Sequence, residues 1–354
     1  MKKIILLLVA FLFYGSYAFA QTAEEYHVQY ETLNKAEKYA EAIVPLQKAA
    51  DMGYVDAQYN LGVCYEEGEG IQKNPIRAVF WYEQAAKQGS TEAECDLANC
   101  YENGEGVKKD TEKAFYLWRK AAQQHNARAQ YNLGFCYKDG IGTQKEARTA
   151  VFWFEKAAKQ GYASAQYNIG VFYDFGDGVQ KDGKKALFWY QKAAIKGYAA
   201  AQYNLGVCYE KGSNVEKDSI KAVYWYEKAA NQESVNAQYN LGLYYDNSVG
   251  VQRDATKAFY WYEKAINQGH AGAKNNLGVC YATGEGVEKN YGKAFYWFEK
   301  AAIQGDANAQ KNLGICYFNG EGIGTDKKQA AYWIEQAYKN GHTEAKDFWE
   351  KNEL

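Results

Sequence analysis

The alanine at position 57 recurs at Ala93, Ala129, Ala165, Ala201, Ala237, Ala273, Ala309 and Ala345, always 36 residues apart and without one insertion or deletion. Each block opens on a phrase such as Ala57-Gln58-Tyr59-Asn60-Leu61-Gly62, is punctuated by Gly68-x-Gly70, and closes on Ala78-x-x-Trp81-Tyr82-x-x-Ala85-Ala86. A unit this short cannot bury its own apolar face, so it must stack on copies of itself. The eight blocks of residues 57–344 therefore predict an all-α fold, an α/α superhelical solenoid of 36-residue helix-turn-helix repeats with helical caps. In such a fold function belongs on a long shared surface rather than in one pocket.

Within a block, Ala57, Leu61, Cys64, Tyr65 and Gly68 fall at helical spacing and give a first helix, A, with one apolar stripe. Gly62 sits beside that stripe. A glycine inside a helix costs about 1 kcal/mol relative to alanine, yet it recurs as Gly134, Gly170, Gly206, Gly242, Gly278 and Gly314, with Ala98 as the one substitute. Close approach of another helix is expected there, with the small Ala78, Ala85 and Ala86 of a second helix, B, receiving it. Gly68 stands where a left-handed residue closes helix A. Asn74, Asp110, Asp182, Asp218, Asp254, Asn290 and Asp326 are N-caps for helix B, Pro75 suits its first turn, and Glu146 is a poor cap. Helix B stops at Gly89 and its equivalents, but His125 and Glu233 replace that glycine and predict two differently bent joints. Residues 21–56 read as an N-terminal capping half-repeat, because Ala42, Ala49, Ala50 and Gly53 keep the register of helix B; residues 345–354 read as a polar C-terminal cap.

The ends and the charge narrow the setting. Lys2-Lys3, an apolar run from Ile4 to Phe13 and Ala18-Phe19-Ala20 form a signal-peptide pattern over residues 1–20, predicting export to the periplasm or the exterior. That run is too short to span a bilayer, which takes roughly 20 apolar residues, so no membrane span is expected. Without Lys2 and Lys3, 39 basic side chains face 43 acidic ones, a formal charge of −4 spread along the repeats. Nucleic acid is excluded as a partner, since phosphate neutralisation needs a concentrated basic face. Cys64, Cys100, Cys136, Cys208, Cys280 and Cys316 share one register, where Phe172 and Tyr244 stand in the other two blocks. An aromatic substitutes for the thiol, so the position calls for a buried space-filling group and free cysteines. Cys95 lies off-register, and a bridge to Cys64 or Cys100 stays open.

The pattern Ala-x-x-x-Leu-Gly-x-x-Tyr-x-x-Gly-x-Gly-Val, then Asp, then Lys-Ala-x-x-Trp-Tyr-x-Lys-Ala-Ala-x-x-Gly, clearest over Ala237 to Gly269 and Ala273 to Gly305, resembles the Sel1-like repeat, a relative of the tetratricopeptide repeat. The resemblance covers residues 57–344 and implies a scaffold or adaptor that binds other proteins, in bacteria often in the envelope. Some cysteine-rich members carry a β-lactamase or penicillin-binding label. Ser-x-x-Lys and Lys-Thr-Gly, which that chemistry uses, are both missing from this sequence, and no enzyme is expected. The paired glycines end a helix and lack the strand and Lys-Ser/Thr of a phosphate loop. His27, His125, His270 and His342 stand apart at non-ligand spacing and read as solvated, so neither metal nor cofactor is expected.

In related tetratricopeptide solenoids helix A lines the concave face, and residues beside its Leu-Gly pair point into the groove. That register implicates Tyr59 and Asn60, with Val63, Glu66 and Glu67, and then Tyr131 and Asn132, Tyr167 and Asn168, Tyr203 and Asn204, and Tyr239 and Asn240. An asparagine row offers donors and acceptors to an extended peptide, and tyrosines add flat contact area. The expected partner is a protein or peptide; an envelope glycan or peptidoglycan, stacked on the tyrosines, is the alternative. Helix B, with Glu83, Lys192 and Glu227, reads as a solvated face.

Overall fold

The computed structural model describes residues 21–352, so the expected signal peptide lies outside them. The described residues form nineteen helices and no strand, in two compact units. Unit 1 holds the described residues up to Ala165 with Asp177–Val179, and unit 2 holds Gln166–Gly176 with the described residues from Gln180 onward.

Unit 1 begins with α1 (Ala23–Lys35) and α2 (Tyr39–Asp51). Three A/B pairs follow, α3 (Val55–Glu67) with α4 (Pro75–Lys87), α5 (Thr91–Asn103) with α6 (Thr111–Gln123), and α7 (Ala127–Asp139) with α8 (Ala147–Lys159). Helix α9 (Ala163–Phe175) opens the fourth repeat and contributes most of its length to unit 2. That unit continues with α10 (Gly183–Ile195), α11 (Ala199–Lys211), α12 (Ser219–Ala230), α13 (Val235–Asp246), α14 (Ala255–Asn267), α15 (Ala271–Thr283), α16 (Tyr291–Ile303), α17 (Ala307–Asn319), α18 (Lys327–Lys339) and α19 (Glu344–Asn352). Within each unit a helix packs on the one before and the one after it, which makes the fold a solenoid.

The predicted caps are in place. Asn74, Asp110, Asp182, Asp218, Asp254, Asn290 and Asp326 each accept a backbone N–H of helix B, whereas Glu146 makes no such bond. Gly68 closes α3 at φ 81°. At the joints of His125 and Glu233 the residue stays in the left-handed region, at φ 65° and 64° against 91° and 89° for Gly89 and Gly161, so a side-chain-bearing residue stands in a conformation that favours glycine.

The close approach at Gly62 is real, but its receiver is not an alanine. A Cβ there would lie 2.5 Å from the ring of Tyr82, and Gly206, Gly242 and Gly278 meet Tyr226, Tyr262 and Phe298 in the same way. The ring, fully buried between the two helices, fills the slot the glycine opens. A second recurrent pair staples successive repeats. Buried Gln58 donates to the Ala50 carbonyl at 3.2 Å and accepts from Gln88 at 2.8 Å; Gln202 with Gln232 and Gln238 with Gln268 repeat the relay. Each amide so satisfied offsets the cost of burying it.

All seven cysteines are free, Cys95 included. Burial pushes the Cys64 thiol up to about 11 and those of Cys95, Cys100 and Cys136 up to about 12, which keeps them protonated and unreactive at neutral pH.

Candidate functional site

The helix-A rows lie where the sequence places them: Tyr59, Asn60, Tyr131, Asn132, Tyr167, Asn168, Tyr203, Asn204, Tyr239 and Asn240 are all half-buried. Their rings are committed to the fold. Tyr167, Tyr203 and Tyr239 each tilt against the helix-B ring of their own repeat, Tyr190, Tyr226 and Tyr262, with centroids 5.8 to 6.2 Å apart. The next repeat's asparagine closes the arrangement. Asn204 reaches the hydroxyls of Tyr167 and Tyr190, Asn240 those of Tyr203 and Tyr226, and Asn276 those of Tyr239 and Tyr262. At the two ends the amide finds other partners, His27 for Asn60 at 3.1 Å and Asn275 for Asn312 at 3.0 Å. Burial, the largest influence, raises the pKa of these tyrosines, so they stay neutral.

Two clefts are lined in part by this row, one in each unit, and the second also takes in Gly183, Ala186 and Leu187 of helix B. In unit 1 a cavity of about 300 Å³ is lined by Asn99, Glu102, Tyr131, Asn132 and Phe135. In unit 2 one of about 310 Å³ is lined by Asp174, Tyr190, Asn204, Val207 and Lys211. Each therefore presents an asparagine of the candidate row, an acid at the next-to-last residue of a helix A, and an apolar wall.

Eight consecutive segments, 55–90, 91–126, 127–162, 163–198, 199–234, 235–270, 271–306 and 307–342, match the family model described as Sel1 repeat. The chain belongs to the Sel1 repeat family. Its fold is similar to that of c5321, a protective antigen present in uropathogenic Escherichia coli strains, at 34% identity and TM-score 0.76 over 89% of this chain and 68% of that one. It is also similar to a Sel1 repeat protein from Oxalobacter formigenes, at 36% identity and TM-score 0.61 over 68% of this chain and 96% of that one. No curated protein matches the chain. This Sel1 repeat fold is typical of protein-interaction scaffolds, and no helix among the described residues is long and apolar enough to cross a membrane.

The second Sel1 repeat departs at every position of the relay, the row and the slot, the seventh at two of them, Lys274 and Asn275. In the second, Glu94 replaces the relay glutamine, is fully buried, and pairs with Lys120 while accepting from Gln124 at 3.3 Å. Asp96 replaces the asparagine, accepts from Tyr59 and pairs with Arg128, whose guanidinium also lies beside the Cys95 thiol. Ala98 and Trp118 replace the glycine and its ring.

Sequence reasoning missed a carboxylate under the helix-B ring. Tyr82 donates to Glu66 and Tyr226 to Glu210, with Tyr190 to Asp174 and Tyr262 to Asp246 at 3.3 Å. The signal was present: in three of the four repeats without a phenol there, at Phe154, Phe298 and Ile334, the acid becomes Lys138, Ala282 and Phe318, whereas Trp118 keeps Glu102. Two histidines also differ from expectation. His27 is buried against Asn60, and His270 caps α15 by accepting the Ala273 N–H at 3.2 Å while stacking on Tyr239 at 4.2 Å.

Proposed function

We propose that this Sel1 repeat protein is an exported, non-catalytic scaffold, periplasmic or secreted, that holds a protein or extended peptide on the concave face of its A helices. The observation that carries the reading is the recurrence of the cleft. Asn132 with Phe135 in one unit and Asn204 with Val207 in the other offer the same pairing of a polar and an apolar contact. A segment lying across several repeats would meet it again at each step. The rows from Tyr59 to Tyr239 and Asn60 to Asn240 frame this surface, and each asparagine oxygen is an acceptor for a partner backbone N–H. Both clefts carry an acid, Glu102 and Asp174, and Lys211 adds a cation at the second, so the two select different side chains. The similar Escherichia coli protein is a protective antigen, which supports placement where antibodies reach.

Photo-crosslinking residues placed at Asn99 and Val207 in living cells test the face. They should capture one common envelope protein, while the same residue at exposed Lys87 or Ile195 captures none of it. Capture from the helix-B positions alone would reject the reading. Export has its own check: the mature chain should begin at Gln21, and an intact Met1 on cytoplasmic protein would refute it.

A further inference from the structure

Helix B does not present the plain solvated face its sequence suggests. In unit 2 one aromatic per repeat stands out from it, Phe188, Tyr224, Tyr260, Tyr296 and Tyr332, each 47% to 51% exposed. Helical packing does not require a ring there, since Val44 of α2 holds the same register at 59% exposure. Each ring meets the tryptophan that follows it edge to face, with centroids 4.9 to 5.1 Å apart, so it is held flat rather than free to swing. Over the first four rings lies the ammonium of the lysine four residues on, Lys192, Lys228, Lys264 and Lys300, at 5.4 to 5.7 Å. The acid beside one of these lysines turns inward: Glu227 accepts from Tyr245 at 2.9 Å. A cleft of about 290 Å³ adjoins the third rung, where Tyr260, Trp261 and Lys264 meet the amides Asn231, Asn267 and Gln268, with the Glu233 carboxylate at the same cleft.

We propose that this ladder binds a linear anionic polysaccharide, each rung engaging one acidic sugar while intervening sugars bridge the roughly 8 to 10 Å or more that separates neighbouring helices. The flat ring offers a surface to the C–H face of a sugar, the ammonium complements its carboxylate, and the amides of the cleft suit hydroxyl groups, with Glu233 facing sugar hydroxyls rather than the acid. Regularity argues for this occupant. Four rungs repeat one chemistry at one spacing, which matches a polymer whose own repeat is uniform and serves a peptide of varied side chains poorly. Rings half-sunk against tryptophan cannot wedge between lipids, so a bilayer is a weaker match than a glycan strand.

The test is affinity electrophoresis of the mature chain in gels containing polygalacturonate, its fully methyl-esterified form, or polyglutamate, with flotation on phosphatidylglycerol vesicles alongside. Polygalacturonate should retard the protein, and the neutral ester and polyglutamate should not. A Lys192→Gln, Lys228→Gln, Lys264→Gln, Lys300→Gln variant, which alters only surface charge, should weaken retardation about tenfold or more. So should a Tyr224→Ser, Tyr260→Ser, Tyr296→Ser variant whose helical circular dichroism is unchanged. Ring variants that bind like the parent would reduce the effect to bulk charge and overturn the proposal, as would equal binding to polyglutamate or to vesicles. Val207→Arg, on the other face, should leave retardation unchanged, so this proposal and the scaffold reading fail separately.

Discussion

The second and sixth repeats solve one packing problem with different chemistry. The sixth uses Gln238, Tyr239, Asn240, Gly242 and Tyr262; the second puts Glu94, Cys95, Asp96, Ala98 and Trp118 at those positions. Amides and phenols, with the Asp246 carboxylate accepting from Tyr262, satisfy the sixth, whereas Lys120 and Arg128 neutralise the buried carboxylates of the second. Both keep the fully buried ring between helices A and B. The repeat therefore demands a filled slot and a satisfied polar row, and leaves the identity of the groups free.

The contrast is sharpest at the slot. Gly242→Ala would set a Cβ 2.5 Å from the Tyr262 ring, an overpacking that costs about 1 to 3 kcal/mol. Ala98→Gly should cost only about 1 kcal/mol through helix propensity. Equal losses in chemical denaturation would dissolve the comparison. Next comes the ion pair. Arg128→Ala leaves Asp96, 9% exposed, without its cation, and should cost about 1 to 2 kcal/mol, held down because the guanidinium is partly solvated. Adding Asp96→Asn should recover most of the loss, and a double variant as weak as the sum of its parts would show the two residues uncoupled. Smaller again is Asn240→Ala, which removes an amide from Tyr203 and Tyr226 and should cost about 0.5 to 1.5 kcal/mol.

The smallest effect is one of pH. Asn126 caps α7 and His270 caps α15 at the same register. Burial holds the His270 pKa below its usual 6.5, so the folded chain favours the neutral ring that accepts the Ala273 N–H. Its contribution is complete above pH 6.5 and declines as pH falls through 6.5 towards the lower folded value. His270→Asn should keep the cap and flatten that part of the stability–pH curve. An unchanged slope would place the acid sensitivity elsewhere.

The period, the caps and the buried thiols were legible because each follows from spacing and register along the chain. What the sequence hid were contacts between helices. The ring that fills the Gly62 slot comes from helix B, and the amide that reaches Tyr203 belongs to the following repeat, so neither partner lies near in sequence. His270 reads as solvated in isolation, and only its stacking on Tyr239 reveals the cap. Of the candidate site, the rows were legible from register, as was the Val63 position that recurs as Phe135 and Val207, but not which repeats open a cleft beside them.

The most direct test of the scaffold reading is the affinity of the crosslinked envelope partner for Val207→Arg, measured by calorimetry with thermal unfolding as the control. Binding weakened about tenfold or more at an unchanged melting temperature is the expected result. Parental affinity in the folded variant would contradict a partner site on the A-helix face.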